Sequence, residues 1–204
     1  KALPTVSWEM IFVDDNSRDG TAQTVWEIGR SDPRVRCLKR IGRRGLSSAC
    51  LEGMLATGAP FIAVMDADLQ HDPTLLGSML DIVRTDRADL VIASRYMPGG
   101  SVGDFEASRV RISSFATRLS RLVTKHPVSD PMSGYFMLRR KVFESAVERL
   151  SSLGFKILLD IIASSSTPMR VAEVPLHFGK RHAGESKFST KVVWECLLLI
   201  GDKL

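Results

Sequence analysis

Asp66 and Asp68 stand one residue apart in VMDADLQHDP, residues 64–73, at the end of an apolar run, with Gln70 and His71 just beyond. Residues i and i+2 of an extended chain project to the same side, so both carboxylates can aim at one point if the strand persists that far. Two such groups without a counter-cation repel and raise each other's pKa, a conflict that a divalent metal removes. Hard Mg²⁺ or Mn²⁺ takes oxygen ligands and is held by one or two carboxylates together with the phosphates of a substrate. Asp66, Asp68 and Gln70 are therefore the expected metal ligands. The competing role, capping the next helix, is already filled by Asp72, with Pro73 at the first helical position.

Other polar clusters follow other apolar runs. VDDNSRDGT, residues 13–21, offers Asp14 and Asp15 before Asn16, Ser17, Asp19 and Gly20. The last four suit a turn and a helix cap, whereas a carboxylate at a strand end can also accept hydrogen bonds from a nucleobase or ribose. Arg95 closes another run, and Arg109 and Ser113 lie four apart on one helical face. Together these three could hold a phosphate, for which the planar fork of arginine is well shaped. GKRHAGESKFS, residues 179–189, sets Arg181 and Lys187 around a glycine turn, and a flexible basic loop is the alternative there. Asp130 in SDPMSGYF is either a carboxylate base for a hydroxyl acceptor or a turn residue before Pro131. His71 and His182 are expected at the surface.

The elements that must position these groups recur regularly. Apolar runs at 10–15, 35–39, 60–68, 89–95, 134–140 and 170–178 read as strands, and helical patterns fall at 20–30, 46–57, 73–86, 107–125, 141–150 and 154–165. Such alternation predicts an α/β domain with a mostly parallel sheet and helices on both faces. Ligands of such sheets bind beyond the carboxyl ends of the strands, where the clusters lie. Residues 96–106, rich in glycine, read as a mobile loop.

The 204 residues suit one domain with a substantial core. The net charge of +5 favours anionic partners without choosing among nucleic acid, phosphorylated metabolites and acidic lipid. Cys37, Cys50 and Cys196 are odd in number and far apart, which argues for reduced thiols and against a zinc site. No apolar stretch approaches the ~20 residues of a membrane span. The terminal segment 188–204 reads as an amphipathic helix at a membrane or as a last core helix. The chain starts without Met and ends within a helical pattern, so it is expected to be a fragment.

VDDNSRDGT, DADLQHDP, SRYMPGGS, SDPMSGYFMLRR and RHAGESKFS, in this order, resemble glycosyltransferase family 2, in particular its polyprenol (dolichol) phosphate mannose synthase branch. The resemblance covers roughly residues 10–190 and implies a GT-A (Rossmann-like) fold forming a single catalytic domain, residues 1–204. The family's opening strand has no counterpart here, so the first strand is expected to be missing. By resemblance, Val13, Asp15 and Ala67 would contact the nucleotide-sugar donor, and Asp66, Asp68 and Gln70 would hold Mg²⁺ or Mn²⁺ on its diphosphate. Lys156, Arg181 and Lys187 would neutralise that diphosphate. Arg95, Arg109 and Ser113, with Asp68, would serve the reaction at the phosphate of a polyprenyl or dolichyl acceptor. The implied activity is inverting transfer of a hexose, mannose from GDP-mannose, at the cytoplasmic membrane face, with no nucleic acid involved. The alternatives are a UDP-sugar-dependent transferase (glucose, for example) acting on a lipid phosphate or a glycan hydroxyl, a phosphohydrolase or phosphomutase with an Asp nucleophile, and a non-catalytic nucleotide- or lipid-binding module.

Overall fold

In the computed structural model the described residues are 6–101, 128–151, 154, 156–177, 179 and 201. The helical pattern at 107–125, with Arg109 and Ser113, lies outside them, as do Arg181, His182, Lys187 and Cys196.

All six expected strands form: β1 (Met10–Asp14), β2 (Val35–Lys39), β3 (Phe61–Val64), β4 (Leu90–Ser94), β5 (Phe136–Arg139) and β6 (Val171–Pro175). Between them run α1 (Thr21–Ser31), α2 (Leu46–Leu55), α3 (Leu75–Arg84), α4 (Arg140–Ala146) with a 3₁₀ turn at Val147–Arg149, and α5 (Ile157–Ser164). β1 and β2 pair in parallel. The other four strands form a second sheet in the order β3-β5-β4-β6. There β4 and β6 are parallel, and β5 runs antiparallel to both β3 and β4.

The core shows why β4 is a run of apolar residues without polar alternation. Leu90 and Ile92 turn to one face, where they join Ile62, Phe136, Leu138 and the buried residues of α2, α4 and α5. Val91 and Ala93 turn to the other, with Tyr135, Met137, Val174 and Met79, Leu80 and Val83 of α3. A strand covered by helices on both faces has no solvent side to mark with polar residues. α3 buries one stripe only, whereas α5 is buried nearly all round and its Asp160 is satisfied by the hydroxyls of Ser151 and Ser164.

Residues 96–101, part of the stretch read as mobile, form a tight turn in which Gly100 N–H donates to the Met97 carbonyl at 2.9 Å and Ser101 N–H to that of Leu176 at 2.9 Å. A β-carbon at Gly100 would stand 2.6 Å from the Ser94 carbonyl oxygen, so the backbone closes on itself there. Residues 102–106 lie outside the described residues.

At the opposite end of the sheet a charge network ties three strands. Asp89, buried, accepts from Arg170 Nε at 3.0 Å and Lys141 Nζ at 2.9 Å, and Asp86 accepts from Arg139 and Arg170, both at 2.8 Å. Hydrogen bonding by Arg170 holds the Asp89 carboxyl far below the usual carboxylate range. A depressed native pKa contributes stability above the unfolded-state value that is lost as pH falls below it. Asp89→Asn should cost about 1–3 kcal/mol at pH 7. In urea denaturation, its deficit against the unmutated chain should shrink below the ordinary carboxylate pKa of 3.8.

Candidate active site

Among the described residues, those singled out for chemistry other than Lys156 lie where β1, β3 and β4 end and just ahead of β5. β3 stops at Val64, short of the aspartates, and the chain bends through 67–69 with Leu69 at φ +63°. Exposure still alternates: Met65, Ala67 and Leu69 face solvent while Asp66 and Asp68 are half-buried. Both carboxylates thus turn inward from a bent loop rather than from a strand. Asp68 Oδ1 accepts Gln70 N–H at 3.2 Å, which folds the loop back. Gln70 is buried and its side-chain amide donates to the Gly179 carbonyl at 2.9 Å. Asp72 accepts the backbone N–H and hydroxyl of Thr74 at 2.9 and 2.7 Å, but α3 starts only at Leu75, behind Thr74 and without a side-chain cap, so Asp72 braces the turn before the helix rather than capping it as expected.

His71 corrects an expectation. It is buried, stacked on Tyr135 with ring centroids 5.2 Å apart, and its Nδ1 accepts Asp66 N–H at 3.3 Å. Burial pushes its pKa down to about 4, so it is neutral near pH 7 with its proton on Nε2. It holds the backbone of the carboxylate loop. Burial likewise raises the Tyr135 hydroxyl pKa, and that hydroxyl donates to the Asp72 carbonyl at 3.2 Å.

Gly134, just before β5, closes the far side of Asp66. A β-carbon there would fall 2.6 Å from Asp66 Oδ2 and 3.2 Å from Oδ1, so only glycine leaves the carboxylate where it is. On the same side Arg95, 13% exposed, donates from Nε to Asp130 Oδ2 at 2.8 Å and from Nη2 to Oδ1 at 2.9 Å. Burial works most strongly against the Arg95 charge, but the hydrogen bond to Asp130 and the charges of Asp130, Tyr96 and Asp66 together outweigh it and raise the pKa. Asp130 is fully buried with both oxygens committed to Arg95. It is a turn residue and an anchor for arginine, which argues against its use as a base.

At the end of β1, Asp14 is buried and accepts Ser17 N–H at 3.1 Å. Asp19 meets the Thr21 hydroxyl at 2.6 Å, a bond that lowers its pKa. Val13 lies in the parallel ladder opposite Leu38. Asp15 is held by a group the sequence did not single out. Arg40, just past β2 and 2% exposed, reaches Asp15 Oδ1 with Nε at 2.7 Å and Nη2 at 2.6 Å, and Gly45 N–H donates to Oδ2 at 2.9 Å. Arg40 also donates to Ser48 Oγ, Glu52 Oε1 and the Gly45 carbonyl. Since neighbouring parallel strands end at the same edge, a charged residue after each was the available signal. Lys156 precedes α5 two residues after Gly154, whose carbonyl accepts Ser47 N–H of α2 at 3.2 Å. Cys50 on α2 lies between the two clusters: burial and the Asp66 carboxylate push its thiol up to about 12, and Arg40 opposes this. Cys37 and Cys50 are both free thiols.

The donor set fits a divalent cation. Two inward carboxylates supply hard oxygen ligands, and glycine keeps a side chain off one of them. The single charge of Arg95 is shared between Asp130 and Asp66. Among the described residues no three His, Cys, Asp or Glu gather as a metal cage.

Residues 2–146 match the family described as glycosyl transferase family 2. A dolichol-phosphate mannosyltransferase of Pyrococcus furiosus is 36% identical over 198 residues, covering 96% of this chain and 55% of that protein. One from Saccharomyces cerevisiae is 40% identical over 195 residues, covering 93% of this chain and 72% of the relative. This chain thus spans about half the length of the first. Glucosyl-3-phosphoglycerate synthase from Mycobacterium tuberculosis, crystallised with Mn²⁺, UDP-glucose and phosphoglyceric acid, superposes with a TM-score of 0.62 at 17% identity, covering 94% of this chain and 68% of that one. That likeness establishes the fold, GT-A, and nothing finer.

Gly134→Ala tests the arrangement around Asp66. The added methyl should swing the carboxylate aside and weaken Mn²⁺ binding roughly tenfold or more. The melting temperature should change little, because alanine also restricts the unfolded chain. Calorimetric titration with Mn²⁺ and GDP, beside a melting curve, reads both quantities.

Proposed function

This chain belongs to glycosyl transferase family 2, and we propose that it is an inverting hexosyltransferase moving mannose from GDP-mannose to a polyprenyl or dolichyl phosphate. It works as a single catalytic domain at the cytoplasmic face of a membrane. The observation that carries this assignment is the pairing of buried Asp130 with Arg95 beside Asp66. A sugar hydroxyl acceptor would need a carboxylate to take its proton, and Asp130, the candidate for that task, is spent on Arg95. A phosphate acceptor is already an anion and needs positioning rather than deprotonation.

Asp66 and Asp68, with Gln70, would hold Mg²⁺ or Mn²⁺, which supplies charge neutralisation for the departing diphosphate. Val13, Asp15 and Ala67 line the donor side, with Asp15 locked by Arg40 and Gly45 for the nucleoside. Lys156, with Arg181 and Lys187 from outside the described residues, would add positive charge for the diphosphate. Arg95, with Arg109 and Ser113, receives the acceptor phosphate. An oxygen of that phosphate forms a bond to the anomeric carbon as the carbon–oxygen bond to the nucleoside diphosphate breaks, its electron pair leaving with the diphosphate. Attack opposite the leaving group inverts the anomeric centre, and no proton moves. No helix among the described residues is long and apolar enough to cross a membrane; contact with the lipid at the membrane surface belongs to the proposal.

Asp68→Asn should reduce Mn²⁺-dependent mannosyl transfer from GDP-mannose to a short polyprenyl phosphate by at least about a hundredfold. GDP-mannose with Mn²⁺ should raise the melting temperature more than UDP-glucose does. Full transfer by Asp68→Asn would overturn the metal assignment, and a preference for UDP-glucose would overturn the donor.

A further inference from the structure

The grip on Arg95 does not end at Asp130. Glu173 sits mid-strand in β6, half-buried and opposite Ile92 of β4. Its Oε1 accepts Ser129 N–H at 3.1 Å, the Ser129 hydroxyl at 2.8 Å and Asp130 N–H at 3.3 Å. The Ser129 hydroxyl lies 2.6 Å from that of Ser94, and Ser94 Oγ accepts Tyr96 N–H at 3.3 Å. A hydroxyl has one proton to give. Ser129 gives its proton to Glu173, so Ser94 must donate to Ser129. The chain therefore has one direction, from Tyr96 N–H through both serines to the carboxylate, each bond polarising the next. A second arm runs from Glu173 through Asp130 N–H to the carboxylate that clamps the Arg95 guanidinium and accepts Arg95 N–H at 3.2 Å. Ser94 and Arg95 are thus fastened to one two-residue turn, Tyr96 is tied to it through Ser94, and that turn is fastened to Glu173.

We propose that Glu173 is a positioning residue for the transfer reaction, acting through Ser129 and Asp130 to fix the Arg95 guanidinium beside Asp66 where the acceptor phosphate must sit. The proposal rests on Arg95 receiving that phosphate. In this role Glu173 acts on the reaction only through Ser129 and Asp130. A glutamate in the middle of a strand that otherwise reads Val-Ala-x-Val-Pro would be a costly choice for packing alone, and its backbone partners belong to the segment that holds Arg95 rather than to its own strand.

Steady-state kinetics with GDP-mannose, Mn²⁺ and a short polyprenyl phosphate test it on the full chain. Glu173→Leu removes every acceptor and should raise the KM for the acceptor about tenfold or more, with the donor KM within twofold. Glu173→Gln keeps one acceptor oxygen and should recover most of the loss. Should Glu173→Leu not fold, Ser129→Ala cuts the first arm alone and should raise the acceptor KM severalfold. An unchanged acceptor KM in folded Glu173→Leu, or in Ser129→Ala where it must stand in, overturns the proposal, as does an equal rise in both KM values. Arg95→Lys separates the two levels. If it raises the acceptor KM and Glu173→Leu does not, the positioning role alone fails; if Arg95→Lys has no effect, the phosphate assignment of Arg95 fails with it.

Discussion

One guanidinium cannot neutralise several carboxylates. At the site end of the second sheet Arg95 is divided between Asp130, which it binds with two hydrogen bonds, and Asp66, whose charge it feels. Asp68 stands two residues from Asp66 and faces inward with it. Half-buried like charges repel unless opposite charge stands among them, which suits this pair of carboxylates to the divalent cation of the proposed function. The neutral state of His71 follows the same logic, because a buried imidazole serves there as a hydrogen-bond acceptor for the Asp66 backbone and contributes no charge.

The sheet delivers these groups because its central strands are buried on both faces and can become polar only at their ends. β4 is apolar through Ala93 and turns polar at Ser94 and Arg95. β5 enters the sheet antiparallel, which brings the start of that strand, with Asp130 and Gly134 ahead of it, to the same edge as the ends of β3 and β4. A parallel β5 would have placed that segment at the opposite edge. The charge network around Asp86 and Asp89 occupies that edge instead and holds β4, β5 and β6 in register.

Local pattern was enough to read the strands. LVIAS and FIAV are short apolar runs bounded by turn signals, and all six strand positions and the five helices within the described residues follow from such patterns. Asp66, Asp68 and Arg95 stood out as charges at the ends of those runs. Pairing between distant segments was not legible. Arg40 meets Asp15 across 25 positions, Asp130 meets Arg95 across 35, and Glu173 meets Ser129 across 44. Nothing in the flanking residues of any of them records the partner. His71 was expected at the surface because no partner for it stands out in the sequence, yet it is buried against Tyr135, 64 positions away. The direction of β5 and the closure of residues 96–101 on β6 are equally non-local, since the closing bond comes from Leu176.

If a cation completes this site by bridging the aspartates to a diphosphate, metal and nucleotide must bind with reciprocal coupling. Calorimetric titration of Mn²⁺ into the protein with and without GDP measures that coupling directly. A single Mn²⁺ site tightened at least tenfold by GDP, with the tightening lost in Asp66→Asn, is the predicted result. Mn²⁺ binding of equal strength with and without GDP, or unaltered in Asp66→Asn, would contradict the account at its centre.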